Sequence, residues 1–234
     1  MNLFIVRHGE SYQNIGKNYP DKKPDHIVEL TENGIKQAKD AGEFLSKYFK
    51  EKSLNKDKTR IWVSPYLRTR HTAELINEHL GIKEVFEDIT LIEQRYGLFS
   101  SNPIEECKRR FPDQWEYYDL AYQNGGKFFA KLPQGESPFD VVLRIKQFYA
   151  TLGRDNLEYD SNLIIVTHGT TLRALIMALF HLPPEWYDEQ GVPTNCAIRH
   201  IYRDKNNKSH DKGYIFGSEK KRKAKKADIK QELK

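Results

Sequence analysis

Residues 3–11 read LFIVRHGES and place an arginine and a histidine directly after a short apolar run. Residues 3–6 include two β-branched side chains and predict a short buried strand, which the glycine after His8 interrupts. The strand therefore presents Arg7 and His8 in a loop at its carboxyl end, where open α/β sheets bind their ligands. A permanent cation beside an imidazole suits an anionic, phosphate-like substrate.

Two further apolar runs lead into charged or protonatable residues in the same way. Residues 163–167, LIIVT, predict a strand that ends at His168 and precedes an apolar helix. Another predicted strand runs into Ser64 and Pro65, which together indicate a helix start with Ser64 as N-cap and Arg68 near the N-terminus. Because helix N-termini attract phosphate, the three strand-to-helix junctions predict an anion site at one edge of the sheet.

Four short motifs carry a resemblance to a known family. In chain order they are Arg7-His8-Gly9, Ser64-Pro65-x-x-Arg68, Glu93-x-x-Tyr96-Gly97 and His168-Gly169. With these motifs over residues 2–203, the chain resembles the histidine phosphatase superfamily of phosphoglycerate-mutase-like proteins, and most of all a phosphatase-type branch. The resemblance implies an α/β fold, a three-layer sandwich in which helices flank a mostly parallel central sheet.

The resemblance also implies a catalytic role for five residues. His8 is expected to attack phosphorus and become a phosphohistidine, which splits one difficult step into two. Arg7 and Arg68 are expected to bind the phosphate oxygens, and His168 to donate a hydrogen bond to the same oxygens. Glu93 matches the family's acid, which protonates the leaving alkoxide and then deprotonates water.

Four more residues are expected to contact the substrate, a small or medium-sized phosphomonoester: Asn14, Tyr96, Gly169 and Thr170. Neither a cofactor nor a metal ion is expected, because arginines take the place of magnesium and the sequence has no His-Glu-x-x-His or paired Asp-x-Asp motif. Arg173, which follows the second histidine motif, is expected to be a structural or rim charge.

Hydrolysis of a phosphomonoester is the predicted reaction, with two alternatives. A phosphoglycerate-type mutase would return the phosphoryl group to another hydroxyl, and a binding protein would recognise a phosphorylated ligand without turnover. Glu93 and His168 are 75 residues apart, which is short for the mutases of the family. The complete set of site residues argues against a binding protein. The sequence therefore favours a metal-independent histidine phosphatase.

An aromatic-rich segment, residues 97–135, follows the motif that contains the predicted acid. It holds Phe99, Phe111, Trp115, Tyr117, Tyr118, Tyr122, Phe128 and Phe129, interrupted by Pro103, Pro112 and Gly125-Gly126. We interpret this segment as a helical cap over the site. Its aromatic side chains either fill the core of the cap or line the pocket, and the sequence allows both.

Two amphipathic helices are expected to cover the sheet. One begins at Thr31 and carries an apolar stripe of Ile35, Ala38, Gly42, Leu45 and Phe49. The other begins at Ser137-Pro138, where Asp140 completes a weak capping box.

Charge separates a neutral catalytic domain, residues 1–217, from a basic tail, residues 218–234. The tail holds eight Lys and Arg against three Asp and Glu, and this surplus equals the net charge of +5 for the whole chain. Such a segment buries too little apolar surface to become ordered, so a disordered extension is expected. The alternative for the tail is nuclear targeting, or binding to nucleic acid or an anionic surface.

Composition also bears on where in the cell the protein is expected. A charged fraction of 30% and the lack of an apolar run near eighteen residues predict no membrane span. The fold is expected to start at once, which leaves no room for a secretory signal, and two cysteines are too few for a disulfide framework. A cytoplasmic protein is therefore expected, and its oligomeric state is left open.

Overall fold

A six-stranded sheet forms the centre of the structure, a computed structural model that describes residues 1–16, 23–100, 102–154 and 161–220. The described residues form eight strands, six of which belong to this sheet. They are β1 Asn2–Arg7, β2 Thr59–Val63, β3 Glu84–Glu87, β4 Asn162–Thr167, β5 Val192–Pro193, β6 Ile198–Arg203, β7 Ser209–Phe216 and β8 Glu219–Lys220. The strand order in the sheet is β3-β2-β4-β1-β6-β7, while β5 and β8 pair with each other. The first four strands of the sheet run parallel, and β6 and β7 complete it in antiparallel pairings.

Helices pack on both faces of this sheet. The α-helices of the described residues are α1 Tyr12–Ile15, α2 Glu32–Glu51, α3 Leu67–Leu80, α4 Ile104–Arg110, α5 Pro112–Phe129, α6 Pro138–Arg154, α7 Gly169–Phe180 and α8 Pro184–Glu189. Helices α2 and α3 share one apolar core with Phe4 of β1, and α6 and α7 share the other with Ile5. Strands covered on both faces need apolar residues at every position, which explains the continuous apolar runs. The predicted three-layer α/β sandwich is confirmed.

The predicted helix starts have two different outcomes. The Gly34 N–H donates to Thr31 Oγ1 (3.0 Å), and the Asp140 N–H donates to Ser137 Oγ (3.1 Å), so both of these caps are present. The predicted N-cap at Ser64 is wrong, because α3 begins at Leu67. The Ser64 hydroxyl lies 2.8 Å from His168 Nε2 instead, so it forms a hydrogen bond with His168 and does not cap the helix.

The aromatic segment forms the expected helical cap, and its side chains divide between the two expected uses. Phe99 packs with Cys107 and Leu132 in a small separate core, against which four further aromatic or apolar side chains rest, namely Leu98, Phe111, Trp115 and Tyr118. Tyr118 also lines the pocket described below. Tyr117 is 73% exposed and serves neither use. The cap is therefore a small packed unit that contributes one aromatic side chain, Tyr118, to the lining of the pocket.

The end of the described fold lies beyond the predicted domain boundary at residue 217. Thr194 N–H donates to the Ser218 carbonyl (2.7 Å), and the short strand β8 pairs with β5. Residues 218–220 therefore belong to the fold, because they supply backbone partners to a loop next to the site. The remaining tail, residues 221–234, lies outside the described residues. Across the described ranges, no helix combines the length and apolarity that crossing a membrane requires.

Two glycines allow the loop after β1, which contains His8, to lie against the N-terminus of α2. A Cβ atom on Gly9 would overlap the carbonyl oxygen of Gly34, and one on Gly34 would overlap the carbonyl oxygen of Glu10. The Thr31 side chain donates to Glu10 Oε1 (2.8 Å), and the Gly9 N–H donates to Thr72 Oγ1 (3.0 Å). Contacts to α2 and α3 thus hold the loop that follows β1.

We expect Gly34→Ala to lower the free energy of unfolding by about 1–3 kcal/mol, because the added methyl group meets backbone that cannot rotate away. Gly153→Ala is the matched control, since a Cβ there meets nothing within 4 Å in an exposed turn of α6. That variant should gain about 0.5–1 kcal/mol from helix propensity. Denaturant melts of both variants test the contact, and equal stabilities would contradict it.

Candidate active site

The carboxyl ends of β1, β2 and β4 meet at one edge of the sheet and form the floor of a pocket of about 510 Å³. Eight of the nine residues expected at the site line this pocket: Arg7, His8, Asn14, Arg68, Glu93, Tyr96, Gly169 and Thr170. The ninth, His168, packs against His8 with 5.1 Å between the ring centroids. The structure thus brings together residues from four distant parts of the sequence.

His8 is buried and has a defined tautomer. Its Nδ1 lies 2.7 Å from the carbonyl oxygen of Gly9. A carbonyl can only accept, so Nδ1 carries the hydrogen and Nε2 carries the lone pair in the neutral ring. Burial, together with the positive charges of Arg68 and Arg7, holds the pKa of His8 well below its usual range. The imidazole is therefore neutral and nucleophilic near pH 7.

His168 is held in a similar way from the neighbouring strand. The Ser64 hydroxyl lies 2.8 Å from its Nε2, and its Nδ1 is buried without a hydrogen-bond partner. Burial and the nearby arginines, Arg68 first, lower the pKa of His168 as well. Because the Ser64 hydroxyl can either donate to Nε2 or accept from it, this contact holds the ring in place without fixing its tautomer.

The two arginines of the motifs are each fixed by protein contacts and each retain a free buried donor. Arg7 Nη1 donates to the Pro193 carbonyl, and Arg68 Nη1 donates to Asp25 Oδ1 (2.9 Å). The Nε–H groups of both side chains are buried without a partner. An unsatisfied buried donor costs about 1–3 kcal/mol, so two such groups in one pocket indicate that an acceptor belongs there.

Glu93 lies at the N-terminus of α7. Its carboxylate accepts hydrogen bonds from the Thr170 N–H (3.2 Å) and from the Thr171 hydroxyl (3.4 Å). The amide of Thr170, an expected substrate contact, is therefore engaged by Glu93. Burial of its hydroxyl and the charge of Glu93 raise the pKa of Tyr96, whose hydroxyl pairs with the Thr170 side chain. Tyr96 thus stays protonated next to the carboxyl group and also faces the pocket.

An asparagine outside the predicted motifs orients two site residues. Asn195 Nδ2 donates to the His8 carbonyl (3.2 Å) and to Asn14 Oδ1 (3.0 Å). The Ser11 N–H donates to the same Oδ1 (3.1 Å). The Ser11 hydroxyl contacts the same oxygen (3.2 Å), so three donors hold the Asn14 side chain at the edge of the pocket.

Sequence reasoning missed three contributors to the site: Asp25, Ser64 in its observed role, and Asn195. Asp25 lies 43 residues before its partner Arg68, and no local pattern in the sequence indicates that ion pair. Arg173, which was expected to be a structural or rim charge, is buried, donates to the Tyr187 hydroxyl (2.8 Å) and lines the pocket. Within the described ranges, no group of three or more His, Cys, Asp or Glu side chains is arranged to hold a metal ion.

Comparison with known proteins agrees with this geometry. A family model described as "Histidine phosphatase superfamily (branch 1)" matches residues 3–212. A phosphoglycerate mutase-like protein of Arabidopsis thaliana is 30% identical over 209 residues, which cover 84% of this chain but only 63% of the relative. A 2,3-bisphosphoglycerate-dependent phosphoglycerate mutase of Afipia carboxidovorans is 32% identical over 209 residues, covering 86% of this chain and 90% of the mutase.

Solved structures share the fold. A putative α-ribazole-5'-P phosphatase from Escherichia coli superimposes with a TM-score of 0.71 at 21% identity, over 94% of this chain and 96% of the other. A mycobacterial glucosyl-3-phosphoglycerate phosphatase gives a TM-score of 0.69 at 23% identity, over 93% of this chain and 99% of the other. At these identities the likeness shows the architecture of the chain and not its substrate.

We expect Asp25→Asn to tighten the binding of inorganic phosphate or orthovanadate by about 3- to 10-fold. Asparagine keeps a side-chain oxygen for Arg68, and the Asp25 carbonyl still accepts from Nη1 (2.7 Å), while the charge that repels a dianion is removed. Competition assays or calorimetry measure the change. Asp211→Asn, which alters another arginine-paired aspartate on β7, is the control. Weaker anion binding by Asp25→Asn would show that the carboxylate orients Arg68 for the anion and does not compete with the anion for Arg68.

Proposed function

Because the chain belongs to the histidine phosphatase superfamily, we propose that it hydrolyses phosphomonoesters through a phosphohistidine on His8. The supporting observation is the neutral imidazole of His8, with its Nε2 lone pair available, between Arg7 and Arg68, which each retain a buried N–H group without a partner. A nucleophile surrounded by unsatisfied cationic donors suits a phosphate ester better than a neutral substrate.

The first step transfers the phosphoryl group to the protein. His8 Nε2 attacks phosphorus, a P–N bond forms, and the ester P–O bond breaks on the opposite side. Glu93 gives its proton to the departing alkoxide, so the alcohol leaves neutral. Arg7, Arg68 and His168 donate to the equatorial oxygens, where charge is spread in the transition state.

The second step returns His8 to its starting state. Glu93 accepts a proton from water, the water oxygen bonds to phosphorus, and the P–N bond breaks to release inorganic phosphate. The position of Glu93 supports both proton transfers, because hydrogen bonds from the N-terminus of α7 orient the carboxyl group at the pocket. The arginines supply the positive charge in this proposal, which includes neither a metal ion nor a cofactor.

A mutase is the second candidate, and the identity of 32% to a phosphoglycerate mutase favours it. Both reactions share the phosphohistidine and differ only in what accepts the phosphoryl group next. Release of inorganic phosphate from 4-nitrophenyl phosphate and from a panel of alkyl phosphomonoesters, measured beside phosphoglycerate interconversion, distinguishes them. A rate of interconversion that exceeds phosphate release would favour the mutase.

We expect His8→Ala to lower kcat by a factor on the order of 10³ or more, because it removes the phosphoryl acceptor. Wild-type protein quenched during turnover of a 32P-labelled ester should carry an acid-labile, alkali-stable label, and the variant should carry none. His79→Gln, an exposed histidine of α3, is the control for general loss of histidine. Normal turnover by His8→Ala would exclude the covalent mechanism.

We expect Glu93→Gln to slow alkyl phosphates by about 10²- to 10⁴-fold and 4-nitrophenyl phosphate far less, since nitrophenolate leaves without protonation. The ratio of the two losses is the readout, because misfolding would lower both rates equally. Glu87→Gln, a surface carboxylate paired with Arg70, is the matched control. Equal losses on both substrates would remove Glu93 from the role of acid.

A further inference from the structure

The loop between α8 and β6 lies beside the pocket and holds the side chain of Arg7. Val192 lines the pocket, and the carbonyl of Pro193 accepts a hydrogen bond from Arg7 Nη1. Arg68 is held by both the carboxylate and the carbonyl of Asp25. Among the described residues, the Pro193 carbonyl is the one hydrogen-bond partner of the Arg7 side chain. The orientation of Arg7 therefore depends on the position of this loop.

The short strand β8 in turn holds this part of the loop. Its antiparallel pairing with β5 places Pro193 opposite Glu219. The next residue, Thr194, is joined to Ser218 by three hydrogen bonds. The Thr194 N–H and hydroxyl both donate to the Ser218 carbonyl (2.7 and 2.9 Å), and the Ser218 N–H donates to Thr194 Oγ1 (3.1 Å). These contacts fix the backbone on both sides of the Pro193 carbonyl.

A glycine before β5 allows the close approach of β8. A Cβ atom on Gly191 would lie 2.3 Å from the carbonyl oxygen of Lys220 and 2.9 Å from its carbonyl carbon. Gly191 does not have a positive φ, so its own backbone conformation would accept a side chain. The space that β8 occupies is therefore what excludes a side chain at this position.

The second half of the loop is held without β8. The Cys196 N–H donates to the His8 carbonyl (3.2 Å), and the Arg7 N–H donates to the Ala197 carbonyl (3.1 Å). The His8 ring is held separately, by its contact with the Gly9 carbonyl. Displacement of β8 would therefore affect the guanidinium of Arg7 and leave the nucleophile in place.

We propose that Thr194 and β8 position Arg7 for the phosphoryl group through the carbonyl of Pro193. This proposal rests on the proposed function for the identity of the bound anion. A guanidinium is planar, so a contact at Nη1 also restricts the direction of the buried Nε–H, which has no partner in the protein. Thr194 does not line the pocket, so it is a positioning residue and not a catalytic one.

Two substitutions in the full-length chain test this role. Thr194→Val removes the hydroxyl contacts to Ser218, and Gly191→Ala places a methyl group against β8. We expect each to weaken the binding of inorganic phosphate and orthovanadate by about 3- to 10-fold, part of the effect of one charge-assisted contact. Calorimetry measures the affinities, and unchanged affinity in Thr194→Val would overturn the proposal.

Matched controls exclude a general effect of the substitutions. Thr151→Val removes a hydroxyl that contacts only the backbone and one arginine of its own helix, α6, and Gly153→Ala adds a methyl group where nothing lies within 4 Å. Both should bind the anions as wild type does. Denaturant melts show whether each variant folds, and Thr194→Val carries the test when Gly191→Ala does not fold.

A double-mutant comparison separates positioning of Arg7 from a loss of structure. In an Arg7→Gln background, Thr194→Val should weaken orthovanadate binding no further, because the side chain on which it acts is gone. In an Arg68→Gln background the full loss should remain, since Asp25 holds Arg68 independently of β8. Equal further losses in both backgrounds would show a general structural effect, and the proposal would fail.

Binding measurements also separate this proposal from the proposed function, because they need no turnover. A loss of anion affinity in Thr194→Val that requires Arg7 would support the positioning role even if no ester is hydrolysed. Affinities equal to those of wild type would overturn it, even if phosphatase activity is found.

Discussion

The parallel pairing of β1 with β4 is the constraint on which the rest of the site depends. Its register places Arg7 opposite Thr167, so the residue that follows each strand is a histidine. The His8 N–H donates to the Thr167 carbonyl (2.9 Å) and extends the ladder by one residue into the pocket. A slip of this register would move one imidazole away from the other, and no local rearrangement of the loops could restore the pair.

The buried cations Arg7 and Arg68 have two effects at this edge of the sheet. Burial keeps His8 unprotonated before a ligand enters, and the charges of Arg68 and Arg7 lower the pKa of His8 further, because another positive charge in their field is unfavourable. The two arginines also present N–H groups that only an acceptor from outside the chain can satisfy. A neutral nucleophile and an affinity for anions therefore follow from one placement of charge. Asp25 moderates this field from the rim through its ion pair with Arg68.

The sequence predicted those features of the site that depend on strand ends, and it missed those that depend on the packing of loops. Arg7, His8 and His168 follow directly from apolar runs that could only be buried strands, so their meeting at one edge was predictable. Ser64 was misread because a serine before a proline has the pattern of an N-cap, and only the position of His168 shows its other use. Asn195 lies more than 180 residues from the two residues it contacts, and no local spacing indicates such a contact.

The N–H donors without partners at the pocket also make the stability of the fold depend on whether an anion is bound. The native state buries these N–H groups and the unfolded chain exposes them to water, so the empty protein loses solvation that a bound anion would replace. A ligand that binds only the native state adds RT ln(1 + [L]/Kd) to the free energy of unfolding, about 2.7 kcal/mol at a hundred times Kd. An anion that satisfies these donors would thus stabilise the fold. The stability of the native state would in this way depend on whether the pocket is occupied.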